Sequence, residues 1–274
     1  MWNLWYVTSI SISLILLGCA EEQQRYEQTL PIVDTFSVAA PATEPAVPKT
    51  LYDTVGVDFL MGKFDPAKHP KFVEIAAQYA DRPGLYMRRE AYDAFMAMHR
   101  AAQAAGVQLI IRSAARNFER QRQIWEAKWT GTRTVEGGEN LAETTPDPVA
   151  RAKKILLYSS MPGTSRHHWG TDIDLNAFQN SYFDNGKGKI VYNWLTANAA
   201  QYGFCQPYTD KANGRTGYEE ERWHWTYLPL ARPFTTQAAK KLHNSIISGF
   251  KGSETAPRVD VVGNYVLGIN NACE

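Results

Sequence analysis

The sequence predicts an α+β fold, a small mainly antiparallel sheet flanked by helices. Three observations lead there. Residues 89–105 carry side chains at helical spacing and stop at Gly106, and residues 189–202 read as a further helix stopped at Gly203. Residues 171–176 (Thr-Asp-Ile-Asp-Leu-Asn) alternate with the two-residue period of a strand. Finally, helices and strands are mixed without the strand–helix–strand alternation of a parallel sheet.

Taken in order, the first helix rests on Tyr92, Phe95, Met96 and His99 at three-to-four spacing. A lone His on such a stripe is a packing residue or a surface tip rather than a ligand. Residues 107–113 form a short β-like run, after which Asn117 is placed to cap a helix reaching Trp129. A Gly- and Thr-containing loop covers 131–146, and a second helix follows over about 148–158. In the strand over 171–176, Asp172 and Asp174 fall on one face. Residues 220–228 have strand composition, dense in Trp, Thr and Tyr. A last helix is expected over 235–250, with Lys240, Lys241 and His243 toward its end, where helix-dipole or surface placement explains the His.

Twenty-nine basic residues against 28 acidic ones leave no electrostatic footprint for nucleic acid, so that partner class is set aside. No obligate protein partner is evident. Aromatics make up 12% of the chain, with eight Trp, which suits a carved, folded domain better than disorder. The first 20 residues carry no charge and end in small residues, the pattern of a secretory signal too short to span a membrane. Leu16-Leu17-Gly18-Cys19 resembles the bacterial lipobox, which implies a lipid-modified Cys19 and a signal peptide over 1–19. Residues 20–50, polar and then rich in Pro and Ala, read as a flexible tether, and 51–274 as the functional domain. With Cys19 committed to lipid, Cys205 and Cys273 remain as an even pair in an exported protein and form a candidate disulfide.

The chemistry concentrates in two segments. A hydrolytic zinc site needs three N or O ligands and one open position. Ser165-Arg166-His167-His168-Trp169-Gly170-Thr171-Asp172-Ile173-Asp174 offers His and Asp seven positions apart, across a loop that closes at Gly170 and runs into a strand. Glu221-Arg222-Trp223-His224 supplies a third ligand, with a carboxylate three residues away that is free to act as a base. The residues therefore suggest a site of two His and one Asp, with Glu221 as general base.

The first segment resembles the Ser-x-His-x-x-Gly-x-x-x-Asp motif of the D-alanyl-D-alanine metallocarboxypeptidases. That group includes VanY-type carboxypeptidases and VanX-type dipeptidases and shares its fold with the Hedgehog signalling domain. The second segment resembles the same family's Glu-x-Trp-His. Upstream, Ser113-Ala114-Ala115-Arg116-Asn117-Phe118-Glu119-Arg120-Gln121 is similar to its Ser-Gly-Tyr-Arg-Ser-x-x-x-Gln. The three motifs stand in family order over about residues 107–227. The resemblance implies His167, Asp174 and His224 as zinc ligands, with the family spacing favouring His167 over His168. It implies Glu221 as the base and Arg116 as the group facing the oxyanion. Ser165 and Gln121 fall where the family contacts substrate. Two departures stand out: Ala114-Ala115 replace Gly-Tyr, and Asp172 replaces a frequent Ala. Asp172 is therefore read as a contact for a substrate amine or as a partner for a ligand His.

For function, the resemblance implies a zinc carboxypeptidase that hydrolyses a terminal D-Ala-D-Ala bond in peptidoglycan stem peptides. The rivals are an L,D-carboxypeptidase or crosslink endopeptidase with the same metal centre, and a non-catalytic cell-wall-binding lipoprotein. The groove walls that would separate these bonds are expected from residues 131–146 and 208–218. The expected location is the bacterial cell envelope, lipid-anchored at the periplasmic face. Ala20 after Cys19 leans toward the outer membrane if the host is diderm.

Overall fold

The computed structural model describes residues 54–274. The lipobox Cys19, the signal over 1–19, the tether over 20–50 and the domain start at 51 lie outside the described residues. Every described residue falls in one unit, Val47–Glu274. Among them no helix is long and apolar enough to cross a membrane.

Alternating side chains build the centre of the fold. Four strands, β3 (Ile111–Ser113), β4 (Asp172–Leu175), β5 (Phe204–Cys205) and β6 (His224–Tyr227), form an antiparallel sheet in the order β3-β4-β6-β5. Before it, β1 (Phe72–Glu74) and β2 (Tyr86–Arg88) pair as a separate antiparallel ribbon. In β4, Ile173 and Leu175 point to one face and Asp172 and Asp174 to the other, all four buried. Register sets Asp174 opposite His224 and Asp172 opposite Thr226. Directly opposed side chains stand about 4.5–5.5 Å apart at Cβ, so pairing alone brings an acid and an imidazole together.

The apolar face is closed by two helices. In α1 (Arg89–Ala104) the buried residues Ala91, Phe95, Met98 and Ala102 recur at helical spacing and meet Ile111, Ile173, Leu175 and Trp225. The helix ends as expected at Gly106, whose φ of +74° is the left-handed conformation that suits glycine. Val191, Leu195 and Ala199 bring α4 (Gly186–Asn198) and the tight turn after it to the same cluster. A second apolar cluster joins α2 (Phe118–Trp129), α3 (Pro148–Ile155), α5 (Leu228–Lys241) and the C-terminal segment through Trp125, Ile155, Phe234 and Val266. Asn117 caps α2 by accepting the Arg120 N–H at 2.8 Å, and Asp147 caps α3 by accepting that of Ala150 at 2.7 Å.

Three expectations need correction. The last helix starts at Leu228, not 235, and ends at Lys241, leaving His243 beyond it in extended backbone. Pro229 occupies its first turn, where a missing N–H costs nothing, while Pro233 lies inside; the two prolines masked the start. The strand expected over 220–228 shrinks to β6, because Glu221 and Arg222 lie in the turn before it. Finally, the loop over 131–146 contains a helical turn, Leu141–Thr144, capped by Asn140.

Candidate metal centre

His167 lies in the tight turn Arg166–Trp169, which Gly170 closes at a φ of +71° before β4 begins. That turn swings the His167 ring back toward Asp174, whose Oδ2 is 3.3 Å from His167 Nε2. From β6, His224 Nδ1 stands 3.3 Å from Asp174 Oδ1. The ligand atoms of His167, Asp174 and His224 all lie within 4.8 Å of one another, and all three residues are buried.

Each ring is held from behind. His167 Nδ1 is 2.9 Å from the Ala114 carbonyl and must donate to it, so Nε2 keeps its lone pair toward Asp174. His224 Nε2 is 2.9 Å from Asp172 Oδ1, leaving Nδ1 as the free nitrogen. With His224 neutral, the form a bound cation would select, these tautomers turn two ring nitrogens and a carboxylate toward one place. The facing nitrogens of His167 and His224 each lie 3.3 Å from one of the two Asp174 oxygens, close enough for all three side chains to share one ion. Asp174 Oδ1 is buried with no hydrogen-bond donor. Burial opposes a proton on His224, yet Asp172, Asp174 and Glu221 hold its proton affinity well above the usual imidazole value. Three carboxylates around two imidazoles form a pocket that a cation completes, and the donor set fits zinc.

Glu221 sits in the turn before β6 with Oε2 3.2 Å from His224 Nδ1, beside the ligand group. Burial pushes its carboxyl above the ordinary range, with His224 pulling the other way. Arg116, just after β3, donates from Nη1 to Ser113 Oγ at 2.7 Å and stands 3.6 Å from Asp174 Oδ2. A cleft of about 640 Å³ opens over these groups. Arg116 Nε, Gln121 Oε1 and Ser165 Oγ are buried, line this cleft and lack partners. Buried polar atoms are nearly always paired, so these three make the cleft a candidate site for a polar molecule.

The expectations for Asp172 and His168 now separate. Asp172 is fully buried and does not line the cleft, so it is not a substrate contact. Its oxygens are taken by His224, Arg166, Thr171 and Thr226. His168 is spent on the backbone: Nδ1 meets the Arg116 carbonyl at 2.6 Å and Nε2 accepts the Gly163 N–H at 3.1 Å. Burial pushes its proton affinity down to about 3, and a Cβ at Gly62 would collide with its ring. Of the expected walls, Arg133 and Glu136 from 131–146 and Tyr208 and Tyr218 from 208–218 line the cleft. Sequence reasoning passed over Arg166, which sits in the loop before β4 and is fully buried. No side-chain pattern announces the Ala114 carbonyl.

A family model described as VanY, D-alanyl-D-alanine carboxypeptidase, matches residues 84–230, just over half of the chain. The chain belongs to this VanY family. The VanY match takes in every candidate ligand and catalytic residue and leaves 231–274 outside it. Over 144 residues the chain is 30% identical to a D-alanyl-D-alanine carboxypeptidase of Enterococcus faecalis, covering 53% of this chain and 47% of the relative. The chain thus spans about half the length of the curated relatives it matches. Among solved structures it is similar to a vancomycin-resistance D,D-pentapeptidase VanY from a VanB-type cassette in complex with Zn(II). That likeness has 25% identity, a TM-score of 0.44, and coverage of 61% of this chain and 90% of the other. The LdcB LD-carboxypeptidase is 22% identical with a TM-score of 0.45, covering 63% and 75%. The Cys205 and Cys273 sulfurs are bonded, with Cα atoms 5.8 Å apart, and tie the C-terminal segment beyond the VanY match to β5 within it.

Proposed function

We propose that this chain is a zinc-dependent carboxypeptidase that cleaves the terminal D-Ala-D-Ala bond of peptidoglycan stem peptides. The observation that carries the reading is the buried Glu221 carboxylate, 3.2 Å from a ligand imidazole on the rim of the cleft. A pure binding site has no use for a base there. Membership in the VanY family and the name of the Enterococcus faecalis relative support the choice of bond.

In this reading His167 Nε2, Asp174 and His224 Nδ1 hold the zinc. Bound there, the ion supplies Lewis acidity and acidifies a water. Glu221 Oε2 takes the proton from the attacking water and later delivers it to the leaving amine. Arg116 aims its guanidinium at the oxygen on which charge develops. Ser165 Oγ and Gln121 Oε1, unpaired in the free protein, receive polar groups of the peptide. The lipid on Cys19 and the tether over 20–50 are proposed to hold the domain at the cell envelope beside its substrate.

The test is incubation of the zinc-loaded domain with muropeptides of known stem, with product masses read out. Loss of one D-Ala from pentapeptide stems is expected. Loss of Ala only from tetrapeptide stems would reassign the enzyme as an L,D-carboxypeptidase, and cleavage of crosslinked dimers as an endopeptidase. No cleavage of any stem would leave a binding protein.

A further inference from the structure

The two imidazoles of the proposed metal site are supported in different ways. His167 leans on a neutral backbone carbonyl, whereas His224 leans on the Asp172 carboxylate. Around Asp172 every acceptor position is filled. Oδ1 receives His224 Nε2–H at 2.9 Å and Arg166 Nε–H at 3.3 Å. Oδ2 receives the Thr171 hydroxyl at 2.6 Å and the Thr226 hydroxyl at 3.0 Å. Arg166 is itself fixed: Nη1 donates to Thr235 Oγ1 at 2.9 Å, Nη2 to Thr226 Oγ1 at 3.2 Å, and the guanidinium lies 4.6 Å from the Trp169 ring centroid. Both charged side chains are fully buried, at 0% exposure.

Such a pair is expensive as a stabilising device, since removing two charges from water consumes most of what their attraction returns. Its geometry suggests another use. Asp172 and Asp174 share one face of β4, and β6 runs alongside, so His224 is gripped from both sides: Asp174 stands at its Nδ1 and Asp172 at its Nε2. Without an acceptor at Nε2 the ring is free to carry its proton on Nδ1, the atom the site needs bare. Arg166 in turn neutralises a carboxylate that would otherwise add to the negative charge of Asp174 and Glu221.

We propose that Asp172, braced by Arg166, is a positioning residue that fixes the His224 ring with its proton on Nε2 and thereby sets how tightly the site holds zinc. This inference rests on the zinc reading above. It is distinct from catalysis, because Asp172 touches neither cleft nor base.

The experiment compares zinc dissociation constants of the wild type, Asp172→Ala and Asp172→Asn, by competition with a chromophoric chelator. Circular dichroism of the apo proteins serves as the check on folding. Removing the partner of a ligand His typically weakens metal binding about 10- to 100-fold, and that loss is expected of Asp172→Ala. Asp172→Asn keeps an oxygen that accepts from Nε2–H, and its amide can donate to the threonine hydroxyls, so a loss of under about fivefold is expected. In NMR spectra of the zinc-loaded wild type, the His224 Nε2–H should resonate at low field and exchange slowly with water, as a proton held by a carboxylate does. If the wild type binds no zinc, the functional reading falls and this inference with it. If the wild type binds zinc and folded Asp172→Ala binds it equally well, only this inference falls. Should Asp172→Ala fail to fold, Asp172→Asn and the spectra decide. A His224 Nε2–H that exchanges rapidly with water, or an Asn variant weakened more than about 10-fold, overturns the proposal.

Discussion

The two faces of the central sheet differ by a single residue step along each strand. On one, Ile173, Leu175 and Trp225 join the buried apolar residues of α1 and α4 in a single cluster. On the other, Asp172, Asp174, His224 and Thr226 stand equally buried. The first face gains stability from removing apolar surface from water. The second accumulates desolvated charge, offset by an internal arginine and, in our reading, a metal ion. Strand alternation thus places a destabilising surface directly behind a stabilising one, and the rigid apolar face is what holds the charged one in register. Substitutions on the two faces should therefore fail in different ways, one through function and the other through folding.

The sharpest break in that comparison comes from Glu221→Gln. Turnover should fall by about 10²–10⁴, the usual contribution of a positioned base, while zinc stoichiometry and melting temperature stay near wild type. Next in size, Arg116→Ala should slow turnover by about 10²–10³ with zinc retained, as for loss of one oxyanion donor. Metal analysis alongside stopped assays checks both; zinc lost in step with activity would place these two side chains among the ligands instead. On the opposite face, Leu175→Ala should cost about 3 kcal/mol in urea unfolding through the cavity it leaves, with zinc affinity of the folded protein little changed. A variant that stays stable but loses zinc would show that the faces are not separable. The smallest effect belongs to Ser165→Ala. Its hydroxyl has no partner in the free protein, so folding stability should hold or rise, while KM for the stem peptide increases about fivefold for the hydrogen bond lost. An unchanged KM would remove Ser165 from the substrate contacts.

Much of this site was legible in the chain. The alternation over residues 171–176 put Asp172 and Asp174 on one face, and β4 does so. Asn117 announced α2 and Gly106 the end of α1, because a cap or a left-handed residue is a local property of a few neighbouring atoms. The short strands β1, β2 and β5 were not visible, since two or three residues are too few to display a period. The start of α5 was hidden by prolines that are tolerated for reasons a propensity scale does not carry.

The sequence by itself determined which residue types stand at which spacing: two His and an Asp, a Glu three residues before the second His, an Arg upstream. Those come from periodicity and order. Tertiary structure decided the division of labour among near-identical neighbours. His167 faces the site and His168 is spent on Arg116 and Gly163. Asp174 is left with an unpaired oxygen while Asp172 has none, and Cys205 meets Cys273 across 68 positions. The reason is that a side chain's role is set by which donors and acceptors surround it. For these residues the partners are backbone carbonyls and strand neighbours some 50 positions away, which no local pattern encodes.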